Sequence, residues 1–431
     1  MTLLFATILL FSLFLFLISV EQSVYFTPLM AVSLWIIYFS FNLLINQDFI
    51  FFLNGSVFIV FALINLSIGG FVGYYFFQKY CPQQNKAKLD IKWQTAITNW
   101  HYLALLSIGL TGLGLVGLIV YSYQEYQLMN NFFSLALLPQ EFSTDRYGGS
   151  QYLPLELKLL SYMIYPSALS VGALTGGKYW SAKARFIPIV LALGYGMIYS
   201  SRTVVILTLV AMISSDWAIR VFNSHSQDHK NNIKTLFLTG LSFSILLPAI
   251  FIALQWLRQG VDSEFIMNEM LQIARSSMTG SLSAFTQWFH HYDGLEFGWG
   301  RHTFAGPFEL LGISNRVQGF FLEFSEVGIT HINIYTAFRG LLQDFGFAGS
   351  AFFLFIIGLV SSLLYYHVKN GSVIAIPLLA ICNGWVIFSP FISLFVNNSI
   401  VTGYFLFFAI SYLPVRPLNR FQFLKEDLAY G

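Results

Sequence analysis

The chain contains about eleven apolar stretches, most of them close to the ~20 residues that a helix needs to span a bilayer. Only 10% of its 431 residues are charged, whereas a soluble domain carries roughly 25%. These features predict an all-α, polytopic integral membrane protein with a single membrane domain over residues 1–431. The net charge is only +2 and no basic stripe is present, so nucleic-acid binding is not expected.

The apolar stretches predict the position of each transmembrane helix. The expected spans are Leu3–Val20, Phe26–Ile45, Ile50–Phe77, Tyr102–Tyr121, Leu155–Leu174, Phe186–Tyr199, Thr203–Trp217, Leu236–Trp256, Leu341–Tyr366, Ile374–Phe395 and Val401–Val415. The first stretch lacks a basic n-region and a small-residue cleavage site, which favours a span over a signal peptide. Two of the stretches, Phe186–Tyr199 and Thr203–Trp217, are short and are interpreted as tilted or broken helices.

Lysine and arginine are distributed unequally across this topology. Alternate loops and the C-terminal tail hold ten lysines and four arginines, which the positive-inside rule places in the cytoplasm. The other side holds one lysine, Lys158, and seven arginines. With eleven spans the N-terminus is external, and an even number of spans would reverse that end. The rule accounts for the lysines but not for the external arginines, so we expect those arginines to have a function.

Most of the external arginines lie in one large external loop, predicted over residues 258–338, and no lysine occurs between Arg258 and Arg339. Arginine presents a planar fork that holds two oxygens of a phosphate or carboxylate, whereas lysine offers a point charge. The loop therefore predicts a site for an anionic, phosphate-bearing substrate beside the bilayer. The candidate substrate-binding arginines are Arg146, Arg202, Arg258, Arg275, Arg301, Arg316 and Arg339. Within the loop, Ser263–Gln287 has near-helical apolar spacing and is interpreted as a helix lying on the membrane.

Three of these arginines have a simpler alternative role. Arg202 precedes an apolar run, so it either binds a phosphate or snorkels beside a helix N-cap. Arg339 enters a span, where ionisable groups are costly and are commonly functional or paired. Arg339 and Asp344 therefore either bind substrate or pair with each other. Arg146 either binds substrate or is a solvated loop residue.

Several other classes of site are not indicated. The chain has no Gly-rich phosphate loop with its lysine, no HExxH, no paired Cys-x-x-Cys and no GxSxG. The adjacent histidines His290 and His291 point in different directions, so they are poor joint metal ligands. The two cysteines, Cys81 and Cys382, are expected in a loop and in a span, which argues against a disulfide.

In its layout and in one string the chain resembles the oligosaccharide repeat-unit polymerases of bacterial surface polysaccharides, the O-antigen polymerase family. The similarity rests on a Ser-Arg-Thr turn at 201–203, on one large external loop before the last spans, and on a string near the end of that loop. That string reads Asn333-Ile-Tyr335-Thr-Ala-Phe-Arg339, followed by Asp344-Phe-Gly346 and Gly349. Arg301, ten residues and Gly312 also match an Arg-x10-Gly pattern of some members. The similarity in layout covers nearly the whole chain, and the string is the most specific part of the similarity.

The resemblance implies a fold like that of multi-span glycosyltransferases in the bacterial inner (cytoplasmic) membrane, with the active site on the periplasmic side. It implies transfer of a glycan from undecaprenyl diphosphate to the non-reducing sugar of another lipid-linked repeat unit, without a metal or other cofactor. The expected partners are the undecaprenyl-diphosphate-linked oligosaccharide and the bilayer, and a chain-length regulator is compatible with this role. Tyr335 and Asp344 join the arginines as candidate substrate-binding residues.

A general base must take a proton from the acceptor hydroxyl outside the bilayer. His331 and His302 are candidates because histidine titrates near neutral pH, and Glu323 or Glu326 is a carboxylate alternative. His331 ranks first because it leads directly into the Tyr335–Arg339 string. The alternative is that this histidine is only hydrogen-bonded within the loop.

Two other functions remain open at this point. An O-antigen ligase shares the layout and the donor but passes the glycan to lipid A core. A transporter or flippase would more typically show internal repeats and short external loops, and the sequence shows neither.

Overall fold

The structure, a computed structural model, describes residues 2–20, 26–80, 89–125, 154–199, 201–223, 252, 266–294, 297–314, 321–328 and 330–413. Its α-helices are α1 (Thr2–Val20), α2 (Thr27–Ile45), α3 (Leu53–Tyr80), α4 (Leu89–Glu125), α5 (Leu155–Tyr162), α6 (Ile164–Gly176), α7 (Phe186–Ile198), α8 (Arg202–Asn223), α9 (Ile266–His290), α10 (Ala305–Leu310), α11 (Ala337–Lys369), α12 (Ala375–Phe388) and α13 (Asn398–Ser411). Short 3₁₀ turns lie at Ala182–Arg185 and Leu394–Val396. Strands β1 (Ser325–Val327) and β2 (Thr330–Ile332) form an antiparallel hairpin.

Within the described residues, seven helical segments are long and apolar enough to cross a membrane, which confirms an all-α multi-pass membrane protein. They coincide with predicted spans, and α5 and α6 together form one of them. Three other predicted spans correspond to shorter helices: α7 has 13 residues, and α12 and α13 have 14 each. The predicted span Leu236–Trp256 lies almost wholly outside the described residues, so the total of eleven stays a prediction.

Helices α3 and α11 pack with their backbones in contact. A Cβ atom on Gly358 of α11 would lie 1.9 Å from the carbonyl oxygen of Leu66 in α3, and one on Gly69 would lie 1.9 Å from that of Phe355. Helices surrounded by lipid gain little from burying apolar surface against each other, so they depend on close van der Waals packing, which small residues permit. This contact fixes α11, which carries part of the site described below.

The helix ends that flank the lysine-rich loops meet at one end of the bundle, as the predicted alternation of loops requires. Contacts there join Phe77 to His367, Trp93 to Phe222, Asn99 to Leu413, Tyr412 to Ile374, and both Arg185 and Arg220 to Asp216. The two arginines donate to the Asp216 carboxylate at 2.5 and 2.6 Å, so this residue ties the loop before α7 to the end of α8. We call this the lysine end, because Lys79 and Lys369 lie there, and the opposite one the site end.

Helix α9 crosses the site end. It confirms the helix predicted over Ser263–Gln287, of which residues from Ile266 onward are described. Its middle is covered on both sides by protein: the hydroxyl groups of Tyr38 in α2 and Ser281 lie 2.6 Å apart, and Gly280 packs against Val327 of the hairpin. The interpretation of this segment as a helix lying on the membrane is therefore corrected, because the bundle and the hairpin enclose its middle.

Helix α11 is broken at Gly346, where φ is 62° and ψ is −169°. This conformation is open essentially only to glycine. Residues 337–345 form a short buried helix before the break, and residues 347–369 form the long spanning part. Gly346 thus redirects the chain, and a Cβ atom on Gly349 would meet the Phe345 side chain of the same segment.

The two last helices, α12 and α13, are joined by a buried turn over residues 389–397. The Ser389 carbonyl oxygen accepts a hydrogen bond from the Ala337 N–H at 2.9 Å, and the Ser393 hydroxyl donates to the Thr303 carbonyl oxygen at 2.9 Å. Both serines are buried. Non-helical backbone at membrane depth is tolerated only where protein surrounds it, so this turn depends on the segments that cover it.

Candidate functional site

Arg339 is a buried cation in the first turn of α11, with only 2% of its surface exposed. Its guanidinium carbon Cζ lies 4.0 Å from the ring centres of both Phe321 and Tyr335 and 4.7 Å from that of Trp288. We call these three rings the aromatic box. A desolvated cation–π contact contributes about 2 kcal/mol, which offsets part of the cost of burying the charge. The box therefore fixes the plane of the guanidinium group.

One arm of this guanidinium reaches Glu323. The Arg339 Nη2 atom donates a hydrogen bond of 2.6 Å to Glu323 Oε2, and the Glu323 side chain is 66% exposed. The Tyr335 hydroxyl donates to the Glu323 carbonyl oxygen at 3.1 Å and so holds the backbone of the same residue. Glu323 therefore presents a carboxylate to solvent from an anchored position.

The remaining donors of Arg339, Nε and Nη1, are buried and have no hydrogen-bond partner among the described residues. A buried donor without a partner costs about 1–3 kcal/mol. A phosphate oxygen could reach these two atoms only if a ring of the aromatic box moved aside. The chemically accessible group of the pair is thus the Glu323 carboxylate.

Asp344 is buried and binds backbone amides. Its carboxylate accepts hydrogen bonds from the His302 N–H at 3.0 and 3.1 Å and from the Thr303 N–H at 2.5 Å. The alternative of an Arg339–Asp344 ion pair is therefore wrong. Five helical steps of about 100° each place the two side chains about 140° apart around the helix axis, so each finds a different partner.

Asp344 and its neighbour Gln343 fix the loop 297–304 against α11. The Gly298 N–H donates to the Gln343 carbonyl oxygen at 2.7 Å, and a Cβ atom on Gly298 would lie 2.3 Å from Asp344 Oδ1. The His302 ring then lies 6.2 Å from the Phe321 ring, with their planes at 9°. The structure thus brings His302, Glu323, Tyr335, Arg339 and Asp344 into one cluster at the site end, with Arg301 exposed beside it.

His331, the first-ranked candidate base, lies on β2 opposite Glu326 of β1. Both side chains are exposed, whereas Val327 and Ile332 are buried and face Gly280 of α9. Strand alternation explains this arrangement, because successive residues point to opposite faces. His331 is therefore on the outer face of the hairpin, and the candidate bases that lie in the cluster are Glu323 and His302.

The other candidate arginines are spread over the chain. Arg275 forms an ion pair of 2.5 Å with Asp48, and its Cζ lies 4.9 Å from the centre of the Phe49 ring. Arg202 is the first residue of α8, at the opposite end of that helix from the lysine end. The candidates Arg146, Arg258 and Arg316 lie outside the described residues, so their placement stays a prediction.

Two members of the aromatic box, Trp288 and Phe321, were not expected from the sequence. In a chain with 46 phenylalanines and nine tryptophans, neither ring stands out. Tyr335 and Arg339 were already linked in the sequence, because both belong to the string that resembles the polymerase family. Among the described residues, no group of three or more His, Cys, Asp or Glu side chains is arranged to hold a metal ion.

No family model, no curated protein and no solved structure matches the chain.

Proposed function

We propose that this protein is a polymerase of lipid-linked oligosaccharide repeat units for a bacterial surface polysaccharide. It transfers a glycan from undecaprenyl diphosphate to the non-reducing sugar of a second lipid-linked unit, at the external face of the cytoplasmic membrane. The observation that carries the proposal is the exposed Glu323 carboxylate, held by the buried Arg339 at the end of the bundle opposite the lysine end. The string that resembles the polymerase family supplies Tyr335 and Arg339 to this cluster.

In this proposal Glu323 is the general base. The Glu323 carboxylate accepts the proton of the acceptor hydroxyl while the hydroxyl oxygen bonds to the anomeric carbon of the donor sugar. The bond from that carbon to the diphosphate oxygen breaks, and undecaprenyl diphosphate leaves with the bonding electron pair. A positioned general base contributes about 10²–10⁴-fold to the rate.

The leaving diphosphate needs cationic donors that can reach it. Arg301 is exposed and adjoins His302 in the loop that Asp344 fixes, and its planar fork suits two phosphate oxygens. Arg202, at the site end of α8, is the second such residue. Arg339 acts on Glu323 and not on the diphosphate, because three rings cover its guanidinium.

The test is polymerisation in proteoliposomes supplied with lipid-linked repeat units, read as a ladder of product lengths. Glu323→Gln is expected to lower turnover by at least about 100-fold. Glu156→Gln, on the exposed first turn of α5, is the matched control and is expected to retain turnover. Wild-type turnover in Glu323→Gln would exclude this residue as the base.

The same assay separates the other functions. Transfer of the glycan only to added lipid A core would identify a ligase, and translocation without a new glycosidic bond would identify a flippase. Either result with the wild-type protein would contradict the proposed polymerase activity.

A further inference from the structure

Residues 297–313 expose an unusual amount of apolar surface for a segment outside the long spanning helices. The exposed fractions are 54% for Phe297, 77% for Trp299, 53% for Leu310, 72% for Leu311 and 56% for Ile313. Leaving apolar surface in water costs about 25 cal/mol per Å². Exposed apolar patches of this kind mark binding surfaces for protein or membrane.

The membrane depth of Phe297 and Trp299, in the first part of the segment, follows from the length of α11. Residues 347–369 rise about 34 Å from the lysine end, and the hydrocarbon core of a bilayer is about 30 Å thick. Gly346 therefore lies at the outer interface. A Cβ atom on Gly346 would lie 3.1 Å from the Phe297 ring, and that ring lies 6.2 Å from the ring of Trp299. Both rings are thus at the depth where membrane proteins concentrate aromatic side chains.

The second part of the segment lies deeper. Helix α13 rises only about 21 Å from the lysine end, so its first residue, Asn398, is below the outer interface. A Cβ atom on Gly306 of α10 would lie 2.8 Å from the Asn398 nitrogen, and Asn398 Nδ2 donates to Glu309 Oε2 at 3.0 Å. Helix α10 therefore covers the end of this short helix within the thickness of the bilayer. Leu310 and Leu311, at the end of α10, are exposed at that level.

We propose that residues 297–313 insert into the outer leaflet as a re-entrant segment whose exposed side chains bind lipid. Phe297 and Trp299 lie at the headgroup level, and Leu310, Leu311 and Ile313 contact acyl chains. Lipid is the occupant because the surface continues the lipid-facing side of α11, where Phe347 and Phe352 are 48% and 66% exposed.

The inserted segment fills the part of the outer leaflet that the short final helices do not reach. Helices α12 and α13 end below the outer interface, and the segment 303–310 covers their buried connection through Thr303 and Gly306. Arg301 lies between the two parts, where its exposed side chain can reach lipid phosphates by snorkelling. The membrane depth of residues 297–313 does not depend on whether the protein is a polymerase.

Spin labels at defined positions test the insertion in phosphatidylcholine vesicles. The labelled variants are Trp299→Cys and Leu311→Cys, each combined with Cys81→Ala and Cys382→Ala. Glu326→Cys on the hairpin is the control in water, and Leu106→Cys, 60% exposed on α4, is the control in lipid. All four labelled positions are exposed, so the labels displace little packing.

Power saturation then compares collisions of each label with oxygen, which concentrates in lipid, and with a water-soluble nickel complex. The label at position 311 is expected to match the one at 106, and the label at 299 to lie between those at 106 and 326. Nickel accessibility at 299 and 311 equal to that at 326 would overturn the proposal.

Discussion

The Glu323 carboxylate and the Arg339 guanidinium form an ion pair of 2.6 Å in which one side chain is 66% exposed and the other 2% exposed. A pair between two exposed side chains contributes little, because both lose rotamer freedom when they meet. Here the aromatic box has already fixed Arg339, so only Glu323 is ordered by the contact. The asymmetry makes Arg339 the anchor and Glu323 the group that is available to a substrate.

Replacement of Arg339 by lysine tests this anchor. Lysine keeps the charge but lacks the planar group that the rings of Phe321 and Tyr335 contact, so Glu323 loses its fixed position. We expect the kcat of polymerisation to fall by about 100-fold, with a smaller change in the KM for the donor. Arg220→Lys makes the same exchange in an ion pair at the lysine end and is expected to retain activity. An unchanged kcat in Arg339→Lys would show that the contacts of the guanidinium with these rings are not needed.

Asp344→Asn removes an acceptor from a buried site. With its amide oxygen in the Oδ2 position asparagine can still accept from both the His302 and the Thr303 N–H, but its NH2 group then replaces the oxygen that accepts from the His302 N–H at 3.0 Å, so two donors face each other in a buried site. We expect a loss of about 1–3 kcal/mol in the free energy of unfolding, measured as a lower Tm in detergent. Asp48→Asn, at a carboxylate that is 50% exposed, serves for comparison and is expected to cost less than about 1 kcal/mol. Equal shifts in the two variants would contradict the role of Asp344.

Gly346→Ala strains the break in α11. Its φ of 62° and ψ of −169° are unfavourable for alanine, and the new Cβ atom would lie 3.1 Å from the Phe297 ring. The expected loss is about 1–3 kcal/mol. Gly112→Ala, in α4 with no atom within 4 Å of the new Cβ, is expected to be neutral or to stabilise by up to about 1 kcal/mol. The two substitutions should therefore shift the Tm of thermal unfolding by different amounts or in opposite directions. An unchanged Tm in Gly346→Ala would contradict the break in α11.

The orientation of the bundle can be read from cysteine labelling in intact cells. Glu326→Cys, at the site end, is expected to react with a membrane-impermeant maleimide. Lys369→Cys, at the lysine end, is expected to react only after permeabilisation, because the positive-inside rule places it in the cytoplasm. The reverse pattern would contradict both the predicted orientation and the proposed external active site.

Much of the candidate site was indicated by residue type and position. Arg339 and Asp344 were singled out because ionisable groups at a span are costly. His302 and Glu323 were singled out as candidate bases close to the final spans, and Tyr335 as part of the string that resembles the polymerase family. Their partners were not predicted. Asp344 meets His302 only because residues 337–345 leave the axis of the spanning helix at Gly346 and the loop 297–304 folds against them.

Hydropathy and length by themselves determined the class of this protein, because a bilayer imposes ~20 apolar residues on each spanning helix. The alternation of lysine-rich loops was also local information, and it correctly predicted which helix ends share the lysine end. Tertiary structure alone decided that Arg339 pairs with Glu323 and is enclosed by Trp288 and Phe321. Those contacts depend on side chains distant in sequence that pack around one buried charge, and no periodicity or spacing in the chain records which distant groups will meet.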